Sequence, residues 1–220
     1  MGVGKMINIL FEDNHLLVVE KPINIPVCED ESKDEDLLNM LKKYLKEKYN
    51  KPGNVYLGLV HRLDRPVGGV MVFAKTSKAA SRLSEQVRNN GFSKTYHAVV
   101  LGNMDKSGIL KDKLLKDSKT NITRVDKNGK DAILEYNLIS FKDGLSLVRI
   151  NLKTGRSHQI RVQFSSRNHP LYGDLKYNKN AKVGEQIALF ASSLSFIHPV
   201  SKEVMKFDLD LPNRYPFNIF

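Results

Sequence analysis

A short polar run between two apolar segments contains the side chains best suited to chemistry, and they are His61, Arg62, Asp64 and Arg65. The run lies between residues 55–60 and 70–74, which both have the composition of buried strands. A carboxylate close to arginines stays ionised well below neutral pH, so Asp64 could act as a nucleophile or as a base. The alternative is structural, because Asp64 could simply pair with a neighbouring arginine and hold the loop together.

Proline and glycine after this run predict a tight loop. Pro66 has no N–H to donate to a sheet, and Gly68 and Gly69 can adopt positive φ. We therefore expect a strand, an active loop and a second strand over residues 57–76, with the loop backbone close to another part of the molecule.

The composition predicts a globular protein with a polyanionic partner. The chain has 220 residues, of which 41% are hydrophobic and 27% are charged, so it can bury a full core. Lys and Arg number 35 against 24 Asp and Glu, and the formal net charge of +11 favours nucleic acid as the partner. The alternative is that these cations are spread over a solvated surface.

Cysteine and histidine usage indicates a reducing compartment and no metal. Cys28 is the only cysteine, so no intramolecular disulfide can form. The six histidines show no metal-ligand spacing. The sequence has neither a signal peptide nor an apolar run of about 18 residues, so we expect a cytoplasmic protein without membrane contact.

Strands and helices are predicted along the rest of the chain. Strands are expected on both sides of a turn at residues 12–14, and again at residues 92–102, 132–141, 145–152, 187–197 and 204–209. Apolar residues at helical spacing predict a helix over residues 37–49 and a second helix that begins at Ser77 and ends at Gly91.

Residues 105–130 are rich in lysine, and this pattern predicts hairpins with exposed cationic faces. Lys111 and Lys113 are the clearest candidates for contact with RNA phosphates. The alternative is an ordinary solvated surface.

A second dense motif spans residues 154–174, with three arginines, two histidines and a Gly-Asp pair. Ile160, Val162 and Phe164 alternate as in a strand, but Ile160 and Phe164 also suit a helix with Ser157 as its N-cap. Local pattern leaves both conformations open.

Four segments occur in a family-specific order: VVEKP at 18–22, HRLD at 61–64, KTYHAVV at 94–100 and TGRSHQIRV at 154–162. Together they resemble the motifs of RNA pseudouridine synthases of the RluA type, and the resemblance covers nearly the whole chain. It implies an α+β fold, with a mostly antiparallel sheet bent around a central cleft and helices on the outer face. It also favours the helix in the last segment.

The resemblance assigns roles to particular residues. Asp64 stands at the catalytic position, Tyr96 at that of a tyrosine that stacks on the target base, and Arg161 at that of an arginine that pairs with the catalytic carboxylate. Lys21 and Pro22 would brace the site. Further residues are expected to contact RNA, with Arg62 filling the space left by a flipped base; they are His61, Arg62, Arg65, Arg156, His158, Lys111 and Lys113.

The implied reaction is isomerisation of uridine to pseudouridine within RNA, with no redox change and hence no cofactor. Large-subunit ribosomal RNA is the favoured substrate, and tRNA is the alternative. The other classes considered are a non-catalytic RNA-binding protein and a hydrolase that acts on a small molecule with an Asp nucleophile. We expect a monomer with a single catalytic domain over residues 6–215, without the N-terminal RNA-binding domain that many relatives carry.

The sequence departs from the family pattern at three places. Val67, Gly68 and Gly69 stand where Thr-Ser-Gly is common. Gln163 stands where His is frequent, and Asn178 follows the G-D-x-x-Y motif where Gly often does. These departures leave Asp64, Tyr96 and Arg161 unchanged.

Overall fold

Residues 7–220 are described by a computed structural model, and they divide into two units. The first unit contains residues 7–92 and Ser193–Leu209, and the second contains Ser93–Ser192 and Asp210–Phe220. The expected domain boundary at Met6 lies outside the described residues. A single catalytic domain over residues 6–215 stays a prediction.

The described residues form eleven strands and three α-helices, with a 3₁₀ turn near the end. In chain order these elements are β1 (Asn8–Glu12), β2 (Leu16–Lys21), α1 (Leu37–Lys48), β3 (Gly58–Leu59), β4 (Gly68–Ala74), α2 (Ser77–Arg88), β5 (Ser93–Leu101), β6 (Ser107–Asp117), β7 (Ile122–Val125), β8 (Lys130–Lys142), β9 (Leu145–Leu152), α3 (Gln159–Ser165), β10 (Leu189–Ile197), β11 (Val204–Asp208) and the 3₁₀ turn Phe217–Ile219.

The first unit is built on β4, whose seven residues are all buried. β2 pairs antiparallel with β1 on one side and with β4 on the other, and the short β3 also pairs with β4. Apolar side chains of β2 and β4 pack against the inner face of α2 and form the core. The strands contribute Leu16, Val18, Val70 and Val72, and α2 contributes Ala79 and Leu83.

Both helices of the first unit begin at side-chain caps. The carboxylate of Asp36 accepts the backbone N–H of Asn39 at 3.0 Å, and the hydroxyl of Thr76 accepts that of Ala79 at 3.1 Å. The predicted helix from Ser77 is confirmed at its start. Its predicted end at Gly91 is wrong, because α2 stops at Arg88 and Asn90 adopts the left-handed backbone, with φ 55°.

The second unit contains a run of five antiparallel strands in the order β5, β9, β8, β6 and β7. The short turn between β8 and β9 has Asp143 at φ 51° and Gly144 at φ 76°. α3 packs on β6 and β7, where Val162 joins Leu114 and Ala132 in a small buried cluster.

β10 contributes residues to both units, and its second half pairs with β11 in the first unit. The predicted α+β class is confirmed, and the strand pairings described above are antiparallel. Within residues 7–220, none of the helices has the length and apolar character needed to cross a membrane.

Candidate active site

The polar loop between β3 and β4 holds Asp64 in a turn. The carbonyl of Asp64 accepts the backbone N–H of Val67 at 2.9 Å, which closes a four-residue turn. Leu63 and Val67 are buried on either side, Asp64 is half-buried, and Arg62 is exposed. Two apolar anchors thus fix the loop while its charged side chains stay near the surface.

Lys21, at the end of β2, braces this loop through hydrogen bonds to its backbone. Its side chain is buried, and its ammonium donates to the carbonyls of Pro22 at 2.9 Å, Arg65 at 3.0 Å and Val67 at 2.8 Å. Burial lowers the pKa of Lys21 to about 7, although the carboxylate of Asp64 acts in the opposite direction. Lys21 therefore fixes the loop backbone, which agrees with the bracing role expected for it.

The glycines after the loop allow β2 and β4 to approach closely. A Cβ on Gly68 would lie 3.1 Å from Cγ2 of Ile23 and 3.2 Å from the carbonyl oxygen of Lys21. Gly69 has a φ of 128°. The predicted close backbone approach is confirmed, but both glycines open β4 and do not belong to the loop.

His61 is bound to the sheet beside the loop. Its Nε2 accepts the backbone N–H of Val72 at 3.1 Å, and its ring packs edge-on against Phe92 with centroids 5.8 Å apart. This acceptor role requires an unprotonated Nε2. Contact of His61 with RNA stays a prediction.

Arg65 is held by the acidic segment at residues 29–36. Its guanidinium donates to the Ser32 hydroxyl at 2.9 Å, pairs with Asp34 and lies 3.6 Å from Asp30. The hydrogen bond from Arg65 lowers the pKa of the exposed Asp34 carboxyl. These partners were not predicted from the sequence, because they lie about thirty residues from Arg65 in the chain.

Tyr96 lies on β5 in the second unit, opposite Ile150 of β9, and only 8% of it is exposed. Lys94 lies two residues before Tyr96 on the same face of β5. Burial lowers the pKa of the Lys94 ammonium. The ammonium of Lys94 lies 3.7 Å from the place that a Cβ on Gly155 would occupy, so it adjoins the start of the second motif.

Arg161 projects from α3 into a buried ion pair with Asp174. Its Nε donates to Oδ2 at 2.9 Å and its Nη2 donates to Oδ1 at 2.6 Å. Only 7% of the Arg161 side chain and none of the Asp174 side chain is exposed. This two-pronged geometry fixes the guanidinium plane. Asp174 was not among the expected site residues, and the pairing of Arg161 with Asp64 stays a prediction.

Gln159 shapes the loop that precedes α3. Its Oε1 accepts the Thr154 hydroxyl at 2.8 Å and the backbone N–H of Arg156 at 3.0 Å. Its Nε2 donates to the carbonyl of Ile133 on β8 at 3.1 Å. The side chain of Arg156 is exposed, and its Nε donates to the carbonyl of Asp131 at 2.8 Å.

The helix expected in this motif is confirmed as α3, but the prediction of Ser157 as its N-cap is wrong. His158 takes the N-cap position in the left-handed conformation, with φ 51° and ψ 23°, and makes no side-chain capping bond. The imidazole Nδ1 instead lies 2.7 Å from the hydroxyl of Tyr177. The local sequence shows only that Ser is a favourable N-cap residue. The orientation of the His158 side chain is set by its contact with Tyr177, which is distant in sequence.

Lys111 and Lys113 lie two residues apart on β6 with exposed side chains, as the sequence predicts. Their spacing places both on one face of the strand. Among residues 7–220, no cluster of three or more His, Cys, Asp or Glu side chains is arranged to hold a metal ion.

Comparison with known proteins identifies the class. A family model for RNA pseudouridylate synthase matches residues 15–166. Ribosomal large subunit pseudouridine synthase D of Zymomonas mobilis is 35% identical, with 94% of this chain and 69% of that protein covered. The Vibrio cholerae protein of the same name is 31% identical, with 94% of this chain and 68% of that protein covered.

Solved structures give the same fold. The structure of human RNA pseudouridylate synthase domain containing 4 superposes with a TM-score of 0.79 at 24% identity, and the match covers 96% of this chain and 90% of the human chain. The motifs and the fold define an RNA-modifying isomerase. The chain belongs to the RNA pseudouridine synthase family, and within it to the RluA type.

Proposed function

We propose that this protein converts uridine to pseudouridine in large-subunit ribosomal RNA. The observation that carries this substrate is the 35% identity, over 94% of the chain, to a relative named for the large ribosomal subunit. The basic composition supports a polyanionic substrate, and each exposed lysine on β6 could neutralise a phosphate.

Asp64 is the proposed catalytic carboxylate. The reaction breaks the bond between N1 of uracil and C1′ of the sugar and forms a bond from C5 to C1′, while C5 loses a proton and N1 gains one. Such a step requires a nucleophile in a fixed position, and the Lys21 brace and the Asp64–Val67 turn supply a fixed backbone. Asp64 could attack the sugar or the base.

Tyr96 and Arg161 are proposed as the other catalytic residues. Tyr96 lies on a paired strand that fixes its position, and an aromatic ring can stack on a flipped base. Arg161 has a guanidinium plane fixed by Asp174, and a fixed plane suits orientation of a carboxylate.

The proposed RNA contacts differ in what they must give up on binding. Lys111 and Lys113 are exposed and suit direct phosphate contact, and Arg62 is exposed and is proposed to fill the space left by the flipped base. Arg65 would have to exchange its carboxylate partners for a phosphate, and His61 keeps a backbone hydrogen bond. Arg156 and His158 belong to the loop before α3 and complete the proposed surface.

We further propose that the protein acts as a cytoplasmic monomer without a metal or an organic cofactor. The single cysteine suits a reducing compartment. An isomerisation needs no external oxidant or reductant.

The substrate is tested with RNA from cells that lack the protein. The purified enzyme is incubated with ribosomal RNA and with tRNA, and pseudouridines are mapped, with Asp64→Asn as the matched control. New pseudouridine in large-subunit RNA supports the proposal, and modification of tRNA alone favours the alternative substrate. Binding without modification would indicate a non-catalytic RNA-binding protein, and neither binding nor modification of RNA would favour the small-molecule hydrolase.

A further inference from the structure

The hydroxyl of Tyr177 contacts two other elements of the second unit, β7 and the start of α3. It accepts the backbone N–H of Thr123, on β7, at 2.8 Å. It also lies 2.7 Å from Nδ1 of His158, at the start of α3. Burial raises the pKa of Tyr177, so the hydroxyl keeps its proton near neutral pH.

The contact with Thr123 has a fixed direction, and it limits the directions open to the contact with His158. A phenolic hydroxyl has one proton and accepts with its oxygen lone pairs. Because the oxygen of Tyr177 already accepts the N–H of Thr123, we assign the proton of its hydroxyl to the contact with His158 Nδ1. In this assignment Nδ1 of His158 is the acceptor, and a neutral imidazole carries its proton on Nε2.

The ring of Tyr177 supports Arg161. The guanidinium carbon lies 5.1 Å from the ring centroid, which is the range of a cation–π contact. The same guanidinium is held in its plane by Asp174. Arg161 is thus fixed by a carboxylate and by an aromatic ring.

The backbone of Tyr177 is also held. Its carbonyl accepts the hydroxyl of Ser165, the last residue of α3, at 2.7 Å. Its N–H lies 3.3 Å from both the carbonyl and Oδ1 of Asp174. These hydrogen bonds from Ser165 and to Asp174 fix the backbone of Tyr177, so its side chain can orient Arg161 and His158.

We propose that Tyr177 is a positioning residue, which sets the orientation of Arg161 with its ring and the tautomer of His158 with its hydroxyl. Through Thr123 it links both residues to the hairpin of β6 and β7, where Lys111 and Lys113 are proposed to contact RNA. The inference rests on the proposed function, since it assigns Arg161 and His158 to the same reaction. Tyr177 is the tyrosine of the G-D-x-x-Y motif, and the sequence pattern alone assigns it no role.

Tyr177→Phe tests the proposal because it keeps the ring and removes the hydroxyl. The single-turnover rate of pseudouridine formation at saturating RNA is expected to fall about tenfold, as for the loss of one or two buried hydrogen bonds. The RNA concentration at half-maximal rate is expected to change less than twofold. Tyr177→Leu, which also removes the ring beneath Arg161, is expected to lower the rate further.

The matched control is Tyr172→Phe. The hydroxyl of Tyr172 donates to Glu185 at 3.1 Å, so this variant loses a side-chain hydrogen bond five residues away without touching Arg161 or His158. It is expected to keep the wild-type rate. A general loss of stability would lower both rates together with both melting temperatures, and that result would overturn the positioning role.

A spectroscopic measurement separates this inference from the proposed function. Nitrogen-15 spectra of histidine side chains, with His158 assigned through His158→Gln, report the tautomer without any RNA. Wild-type protein is expected to show the proton on Nε2, and Tyr177→Phe to show a tautomer mixture. An unchanged His158 spectrum in Tyr177→Phe would overturn the inference, whereas failure of wild-type enzyme to modify any RNA would overturn the proposed function alone.

Discussion

The catalytic and structural roles open to Asp64 give opposite outcomes for one substitution. Asp64→Asn keeps the shape of the side chain and removes its charge. If Asp64 is catalytic, pseudouridine formation is expected to fall by several powers of ten, each worth about 1.4 kcal/mol of activation free energy, while RNA affinity and melting temperature change little. Single-turnover yield and a melting curve on the same sample check this.

Asp34→Asn is the control for loss of a carboxylate near the loop, because Asp34 pairs with Arg65 on the exposed side. It is expected to retain turnover, since exposed ion pairs contribute only about 0–1 kcal/mol. A soluble Asp64→Asn protein with near wild-type yield would exclude the proposed mechanism. A large loss of stability with measurable turnover would instead assign Asp64 a structural role.

The lowered pKa of Glu12 predicts how the free energy of unfolding depends on pH in the acidic range. Burial raises its pKa, but hydrogen bonds from Lys48, Lys75, Tyr49 and Tyr44 outweigh burial and lower the pKa to about 2 from 4.5. The lowered pKa means that the ionised carboxylate stabilises the folded state above pH 4.5, by on the order of 2–3 kcal/mol. This contribution is lost as pH falls from about 4.5 to about 2.

Urea unfolding of wild type and Glu12→Gln at pH 6 and pH 3 measures this contribution. Wild type is expected to be the more stable protein at pH 6, and the difference is expected to shrink at pH 3. A difference that does not change with pH would show that the ionised form of Glu12 has no special role.

At the scale of elements, the loop between β3 and β4 depends on one buried amine. Lys21→Met keeps the length of the side chain but leaves three carbonyls without their donor. We expect the free energy of unfolding to fall by about 2–4 kcal/mol, because buried polar groups would lose their partners. Turnover is also expected to fall, since the loop carries Asp64.

Lys78→Met provides the comparison, because Lys78 is an exposed lysine on α2. Chemical denaturation and single-turnover assays of the two variants give the measurement. Equal stability of Lys21→Met and wild type would show that Lys21 does not brace the loop.

The hairpin of β6 and β7 predicts a change in salt dependence. Reversing the charges of Lys111 and Lys113 is expected to reduce the slope of log affinity against log salt by roughly 0.7–0.9 for each phosphate that the variant no longer neutralises. The matched control reverses Lys179 and Lys182, two exposed lysines elsewhere in the second unit. Filter binding between low and physiological salt measures the slopes, and equal slopes for all three proteins would place the RNA on another surface.

Local pattern predicts the elements well where their own residues determine them. The spacing of Leu37, Leu41 and Leu45 predicts α1, and these residues are its buried face. The end of α2 and the N-cap of α3 were wrong because Asn90 and His158 adopt left-handed backbones that periodicity does not reveal.

The candidate site is predicted by its motifs only in part. The motif residues Asp64, Tyr96 and Arg161 are named by resemblance. The groups that hold Arg65 and support Arg161 are Asp34 and Tyr177, and neither was predicted. Such contacts join residues distant in sequence, and a single sequence contains no direct signal for them.

At the scale of the whole molecule, the chemistry predicts activity without a metal ion. The proposed reaction uses a carboxylate and involves no redox change. Turnover on prefolded RNA is therefore expected to survive chelator treatment of the enzyme. Magnesium can still act on RNA folding, so a short RNA that folds in monovalent salt is the suitable substrate, and loss of turnover on that RNA would contradict the prediction.

The acidic loop around Arg65 gives the protein an internal counter-ion. A phosphate that approaches Arg65 must displace Asp34, so it gains only the difference between two ion pairs. An RNA that contacts the protein only at Arg65 therefore gains little binding free energy. RNA already bound elsewhere presents its phosphates at a high effective concentration and can complete the exchange. If Arg65 contacts RNA as proposed, the loop makes that contact conditional on prior binding and favours a long, correctly seated RNA over a short fragment.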